Sequence, residues 1–232
     1  MKKHIPNTIT CLNLLSGCVA CIMAIEGSFL LSFCWIMLAA VFDFFDGLAA
    51  RLLDSYSPKG KELDSLADMV SFGVAPGFIV YFALEPIVGS IPLSQYIPYA
   101  YIAFLIPVFS ALRLANFNID ERQTDSFIGL PTPANAMFWA SGITGTYFYS
   151  SENAFLYAII IMVLVIIFSL LMIADIPMAS LKIKKFTWKN NELRYILVLA
   201  GILSVVFFSW TGIAITIVLY ILLSLILAKK KA

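Results

Sequence analysis

The chain has 232 residues, of which 61% are hydrophobic and only 12% charged, and its mean hydropathy of +0.94 excludes a soluble globular domain of this length. A net charge of +1 without interleaved basic and aromatic residues gives no footing for a nucleic-acid partner. The composition predicts an all-α polytopic membrane protein, with one membrane domain over residues 1–232 and no appended soluble domain.

A helix that crosses a bilayer needs about 20 apolar residues, and we read eight spans: roughly Ile9–Ile25, Phe29–Leu53, Leu63–Leu84, Tyr96–Ala115, Pro133–Tyr149, Ala154–Ala174, Leu193–Trp210 and Ile213–Ala228. The first opens with Ile5-Pro6-Asn7-Thr8-Ile9-Thr10, where Pro starts a helix and Asn or Thr caps it. His4 is expected at the membrane surface. Cys11, Cys18, Cys21 and Cys34 lie in apolar surroundings, and the Cys18-x2-Cys21 pair has no second pair or His beside it, so all four are expected to be small buried hydrophobes. Leu15-Ser16-Gly17-Cys18 behind Lys2 and Lys3 imitates a lipoprotein cleavage box. Pro6, Asn7, Thr8, Thr10 and Asn13 interrupt the apolar core that cleavage requires, so none is expected.

The second and third spans carry carboxylates where a membrane protein least tolerates them. Asp43, Asp46, Gly47 and Ala50 fall within a sector of about 100° on one helix, and Gly60, Asp64 and Asp68 within about 80° on the next. Carboxylates facing one another in apolar surroundings repel, and cations between them relieve the repulsion. Oxygen ligands without His or thiolate favour Mg²⁺, Mn²⁺ or Ca²⁺. Gly47 and Gly60 leave room beside the acids for a phosphate or a base, and Arg51 offers a guanidinium fork suited to phosphate. Asp54 and Glu62 flank the loop Ser55 to Lys61 and are read as solvated helix ends.

Asp43-x2-Asp46-Gly47-x2-Ala50-Arg51, then eight residues, then Gly60-x3-Asp64-x3-Asp68, resembles the signature of the CDP-alcohol phosphotransferase family, integral membrane enzymes that move a phosphatidyl or similar group from a CDP-activated donor to an alcohol and release CMP. The resemblance implies that Asp43, Asp46, Asp64 and Asp68 hold two divalent metals, Mg²⁺ or Mn²⁺, on the CDP diphosphate, and that Asp68 also deprotonates the acceptor hydroxyl. It implies that Gly47, Ala50, Arg51 and Gly60 line the nucleotide site. The Pro6-Asn7 pair followed by Thr10 resembles the part of the family that contacts the nucleotide, which makes Asn7 and Thr10 CDP-binding candidates. A homodimer is likewise implied by the family alone.

The fourth span ends in Arg113-Leu114-Ala115-Asn116-Phe117-Asn118, and Phe127-Ile128-Gly129-Leu130-Pro131-Thr132-Pro133-Ala134-Asn135 leads into the fifth. By physics alone Arg113 complements a helix dipole and snorkels, and Gly-Leu-Pro-x-Pro is a rigid turn. Both segments, with Leu63 to Asp68 and Ser71-Phe72-Gly73-Val74-Ala75-Pro76, resemble the membrane-embedded phosphatidylserine synthase branch of the family, with Gly77 standing where that branch has Ala. The activity so implied is transfer of the phosphatidyl group from CDP-diacylglycerol to L-serine. Arg113, Asn116 and Asn118, near the carboxylates in the chain, are candidates to bind serine. Lys59, Lys61 and Arg122 either hold donor phosphates or anionic headgroups or simply mark the inner face. The core of the site is expected within residues 5–135, and residues 136–232 are expected to serve packing, dimer or lipid contact.

Direction follows from charge. With eight spans and a cytoplasmic start, all 15 Lys and Arg fall on the cytoplasmic side, while Glu26, Glu85 and Glu152 fall outside. Both termini and the four Asp are then expected at the cytoplasmic face of the cell membrane. Other acceptors (glycerol 3-phosphate, an inositol phosphate), an archaeal ether-lipid donor, and a divalent-cation transporter are the competing readings. Against transport, the ionisable residues within spans gather toward one face instead of crossing the midplane.

Overall fold

The computed structural model describes residues 4–89, 99–120, 128–147, 153–178 and 192–231. Helices α1 (His4–Ile25) and α2 (Phe29–Leu52) form an antiparallel pair joined through Gly27, whose φ of +71° suits glycine. Helix α3 (Pro58–Asp68) runs through a π-helical turn, Met69–Val74, into α4 (Ala75–Val88) as one rod. A 3₁₀ segment, Tyr99–Phe104, leads into α5 (Leu105–Ile119). Then follow α6 (Thr132–Thr146), α7 (Ala154–Ile173), α8 (Glu192–Phe208) and α9 (Thr211–Lys231).

Among the described residues these are eight helical rods in the predicted order, and the protein is an all-α, multi-pass membrane protein. Among the described residues, five rods are long and apolar enough to cross a bilayer: His4–Ile25, Phe29–Leu52, Pro58–Val88, Tyr99–Ile119 and Ala154–Ile173. Thr132–Thr146, with 15 residues, and the apolar stretches Arg194–Phe208 and Thr211–Ile226 are shorter. The third rod starts earlier than its hydropathy suggests. Ser57 caps it by accepting a hydrogen bond from Gly60 N at 3.0 Å, and Pro58 occupies the first turn, so the helix takes in Lys59, Gly60 and Lys61 from the expected loop. Asp54 closes α2 with a φ of +46°, as expected of a helix end; Glu62 is exposed but lies more than a turn inside α3, on its solvent side, because the helix begins at Pro58 and not after the expected loop.

The rods pack around small residues. Ala20 and Ala24 of α1, Ala39 of α2, and Ala75 and Ala83 of α4 are fully enclosed together with Ile36, Phe72 and Ile79, because between apolar helices in lipid close backbone approach replaces the hydrophobic drive. Gly17 shows how close: a Cβ there would lie 2.8 Å from Ser71 Cα. Gly17→Val should therefore cost about 1–3 kcal/mol of stability, measured as a lowered unfolding midpoint of the detergent-solubilised protein. The cysteines depart from expectation. All four are free, but Cys11, Cys18 and Cys34 are exposed and Cys21 is half-buried; they occupy outward helix faces, where lipid supplies the apolar surroundings that the sequence attributed to a core.

Candidate active site

The helical spacing of the acids becomes a cluster where α2 meets the start of the third rod. Carboxylate oxygens of Asp43, Asp64 and Asp68, one from each residue, lie within 4.8 Å of one another. Asp46 stands beside them, 6% exposed, and accepts a hydrogen bond from Thr10 Oγ1 at 2.7 Å. Asn13, fully buried one turn along α1 from Thr10, donates from Nδ2 to Asp68 Oδ1 at 3.1 Å. The Asn13 carbonyl in turn accepts from Ser71 Oγ at 3.0 Å, inside the π-helical turn that follows Asp68. Helix α1 thus supplies a polar face, Thr10 and Asn13, that orients one acid on each neighbouring rod. The sequence reading missed Asn13 as a site residue; its signal was a side chain three positions from Thr10, on the same helical face, in an otherwise apolar span.

A cavity of about 550 Å³ opens beside the cluster. Asn7, Thr10, Asp46, Gly47, Ala50, Gly60 and Asp64 line it, together with Tyr56, Ser57 and Lys61 from the α2–α3 turn and the start of α3. Gly47 faces open space, with no atom within 4 Å of where a Cβ would stand. Gly60 is used differently, since its Cβ would lie 3.0 Å from Ser57 Oγ and 3.2 Å from Asn7 Oδ1; glycine there lets α3 close on α1. Arg51 and Lys59 are exposed at the helix ends and lie outside that lining among the described residues. Lys61 Nζ donates to the Asn118 carbonyl at 2.8 Å, and Asn118 Nδ2 donates to Ser65 Oγ at 2.9 Å. Asn118 therefore ties α5 to α3. Arg122 lies outside the described residues.

Arg113 is 6% exposed, which differs from a snorkelling cation. Its Nη1 donates to Thr132 Oγ1 at 2.9 Å and its guanidinium carbon sits 5.7 Å from the centre of the Phe117 ring. Its Nε has no hydrogen-bond partner among the described residues. Arg113 and Asn116 line a second cavity, of about 430 Å³, and Arg113 is also within electrostatic reach of Asp68.

The donor set fits a hard divalent cation. It is carboxylate only, it converges, and Asp64 Oδ1 is enclosed without a hydrogen-bond partner among the described residues.

The description CDP-alcohol phosphatidyltransferase belongs to the family model that matches residues 3–230, so the chain is a member of that family. Among its curated relatives it is 38% identical over 135 residues to a Helicobacter pylori protein, which covers 57% of this chain and 54% of that one. It is 36% identical over 138 residues to a Bacillus subtilis protein, covering 58% of this chain and 72% of that one. A Methanocaldococcus jannaschii protein is 36% identical over 172 residues, covering 74% of this chain and 72% of that one. All three carry the name CDP-diacylglycerol–serine O-phosphatidyltransferase. The match spans about half the length of the Helicobacter relative.

Proposed function

We propose that this protein transfers the phosphatidyl group of CDP-diacylglycerol to the hydroxyl of L-serine, giving phosphatidylserine and CMP. The observation that carries the reading is the cluster of Asp43, Asp64 and Asp68 beside a cavity lined by Asn7, Thr10, Gly47, Ala50 and Gly60. Family membership supports the donor, and the names of the relatives support serine as acceptor.

In this reading Asp43, Asp46, Asp64 and Asp68 hold two Mg²⁺ or Mn²⁺ ions. Bound there, the metals supply positive charge against the diphosphate and the departing CMP. Asp68, held by Asn13, accepts the proton of the serine hydroxyl. The hydroxyl oxygen forms a bond to the β-phosphorus, the bond from that phosphorus to the bridging oxygen breaks, and CMP leaves with the electron pair. Asn7, Gly47, Ala50 and Gly60 shape the cytidine and ribose end of the cavity, and Arg51, Lys59, Lys61 and Arg122 add positive charge near phosphates or headgroups. Arg113 and Asn116 receive the serine carboxylate, with Asn118 holding α5 in place through Ser65 and Lys61. The site faces the cytoplasm in the cell membrane, which the one-sided distribution of Lys and Arg supports, and the family supports a homodimer.

Purified protein in CDP-diacylglycerol micelles with Mn²⁺ or Mg²⁺ should release CMP with serine, and not with glycerol 3-phosphate or an inositol phosphate. Release with a different acceptor would keep the carboxylate chemistry and remove serine. Metal flux into liposomes without CMP release would favour the transporter.

A further inference from the structure

The cavity next to Arg113 has walls from both halves of the chain. Arg113, Asn116 and Asp120 come from α5 and its end; at 100° per residue they share a sector of about 60°. Met172 and Asp175 come from the end of α7 and the residues after it. The backbone holds these walls in register. Gly129 N donates to Ile176 O at 2.9 Å and Leu130 N to Leu171 O at 2.9 Å, while Ile128 pairs with Pro177 in an antiparallel bridge. Gly129 has a φ of +75°, and its position lies so close to the Met172 carbonyl that a side chain has no room. Two residues past that clip, Thr132 accepts the hydrogen bond from Arg113. One short segment therefore fixes Asp175 on one side and Arg113 on the other.

We propose that Asp120 and Asp175 form the ammonium half of a zwitterion site whose carboxylate half is Arg113. This inference rests on the serine reading above and adds to it the residues that distinguish an amino acid from other small alcohols. Arg113 is buried, lines the cavity and keeps an Nε proton unpartnered among the described residues, a donor that a ligand carboxylate would satisfy. Two carboxylates share the same lining, and a cavity of about 430 Å³ has room for a small amino acid with its water. A ligand carrying both charges matches both walls. An alcohol with only a phosphate meets Asp120 and Asp175 as like charges, which makes the acids a device for rejection as well as binding.

The test uses the full-length protein in CDP-diacylglycerol micelles with Mn²⁺, comparing wild type with Asp120→Asn, Asp175→Asn and Asp175→Glu. The Asn variants should raise the serine KM at least about tenfold while kcat stays within about threefold, and Asp175→Glu should recover most of the loss. Asp175 is exposed and Asp120 half-exposed, and unfolding midpoints are measured beside the kinetics. An unchanged serine KM in both Asn variants overturns the proposal. So does a loss of kcat together with a lowered unfolding midpoint that Asp175→Glu does not restore, because that pattern describes a structural tie. If wild type itself does not use serine, the acceptor reading fails first and this site falls with it, whereas failure confined to the variants leaves serine as the acceptor.

Discussion

Replacing Asp68 with Asn should lower CMP release by at least about 10²–10⁴-fold while leaving the affinity for CDP-diacylglycerol largely intact. Asn keeps the size of the side chain and can still hydrogen-bond to Asn13, whose Nδ2 lies 3.1 Å from Asp68 Oδ1, so the packing of α1 on α3 survives. What it loses is the ability to accept the hydroxyl proton and to contribute charge to the cluster with Asp43 and Asp64. Single-turnover CMP release, measured beside equilibrium binding of the donor, separates the two effects. Normal turnover in Asp68→Asn refutes the assignment of the base. Loss of donor binding equal to the loss of turnover would leave Asp68 with a ligand role alone.

Removing divalent metal should have an effect of comparable size. Three carboxylates with oxygens inside 4.8 Å repel pairwise, and at about 4 Å each ionised pair costs on the order of 4 kcal/mol at an effective dielectric constant of 20. A chelator should therefore reduce CMP release to background, and Mn²⁺ or Mg²⁺ should restore it. The same ions should raise the unfolding midpoint of the wild-type protein, since a ligand that binds only the folded state stabilises it. Asp43→Asn/Asp64→Asn should show neither restoration nor stabilisation by metal. A wild-type midpoint indifferent to metal, together with turnover that survives chelation, would sink the metal reading of the cluster.

Much of this was legible in the chain because it is local. The positions of Asp43, Asp46, Asp64 and Asp68 on their helices follow from residue spacing, and the polarity of the eight rods follows from hydropathy. Partners across the bundle were not legible. That Thr10 serves Asp46 and Asn13 serves Asp68 depends on how α1 crosses the other two rods, and spacing along one helix cannot report a crossing. Arg113 was equivocal for the same reason: a cation at a helix end reads as snorkelling until Thr132, 19 residues later, folds back onto it. Asp175 was passed over as part of a connection after an apolar span. Its neighbours Met172 and Ile176 meet Gly129 only in the fold. The cysteines were misjudged because composition says that a position is small or apolar and not whether a helix or lipid lies beside it.

The π-helical turn at Met69–Val74 lets one rod face two different surroundings. It accommodates about one residue more than an α-helical turn would, so α4 leaves it rotated by about 100° from the frame of Asp64 and Asp68. The two ends of one rod thereby present faces set at a fixed offset from each other. Upstream, the frame must keep acids aimed at a polar cavity; downstream, Ile79, Val80, Ala83 and Leu84 must fill an apolar interior. Without the extra residue the two sets of side chains would stand about 100° from their present relation around the rod, and the acids and this apolar face could not both point as they do.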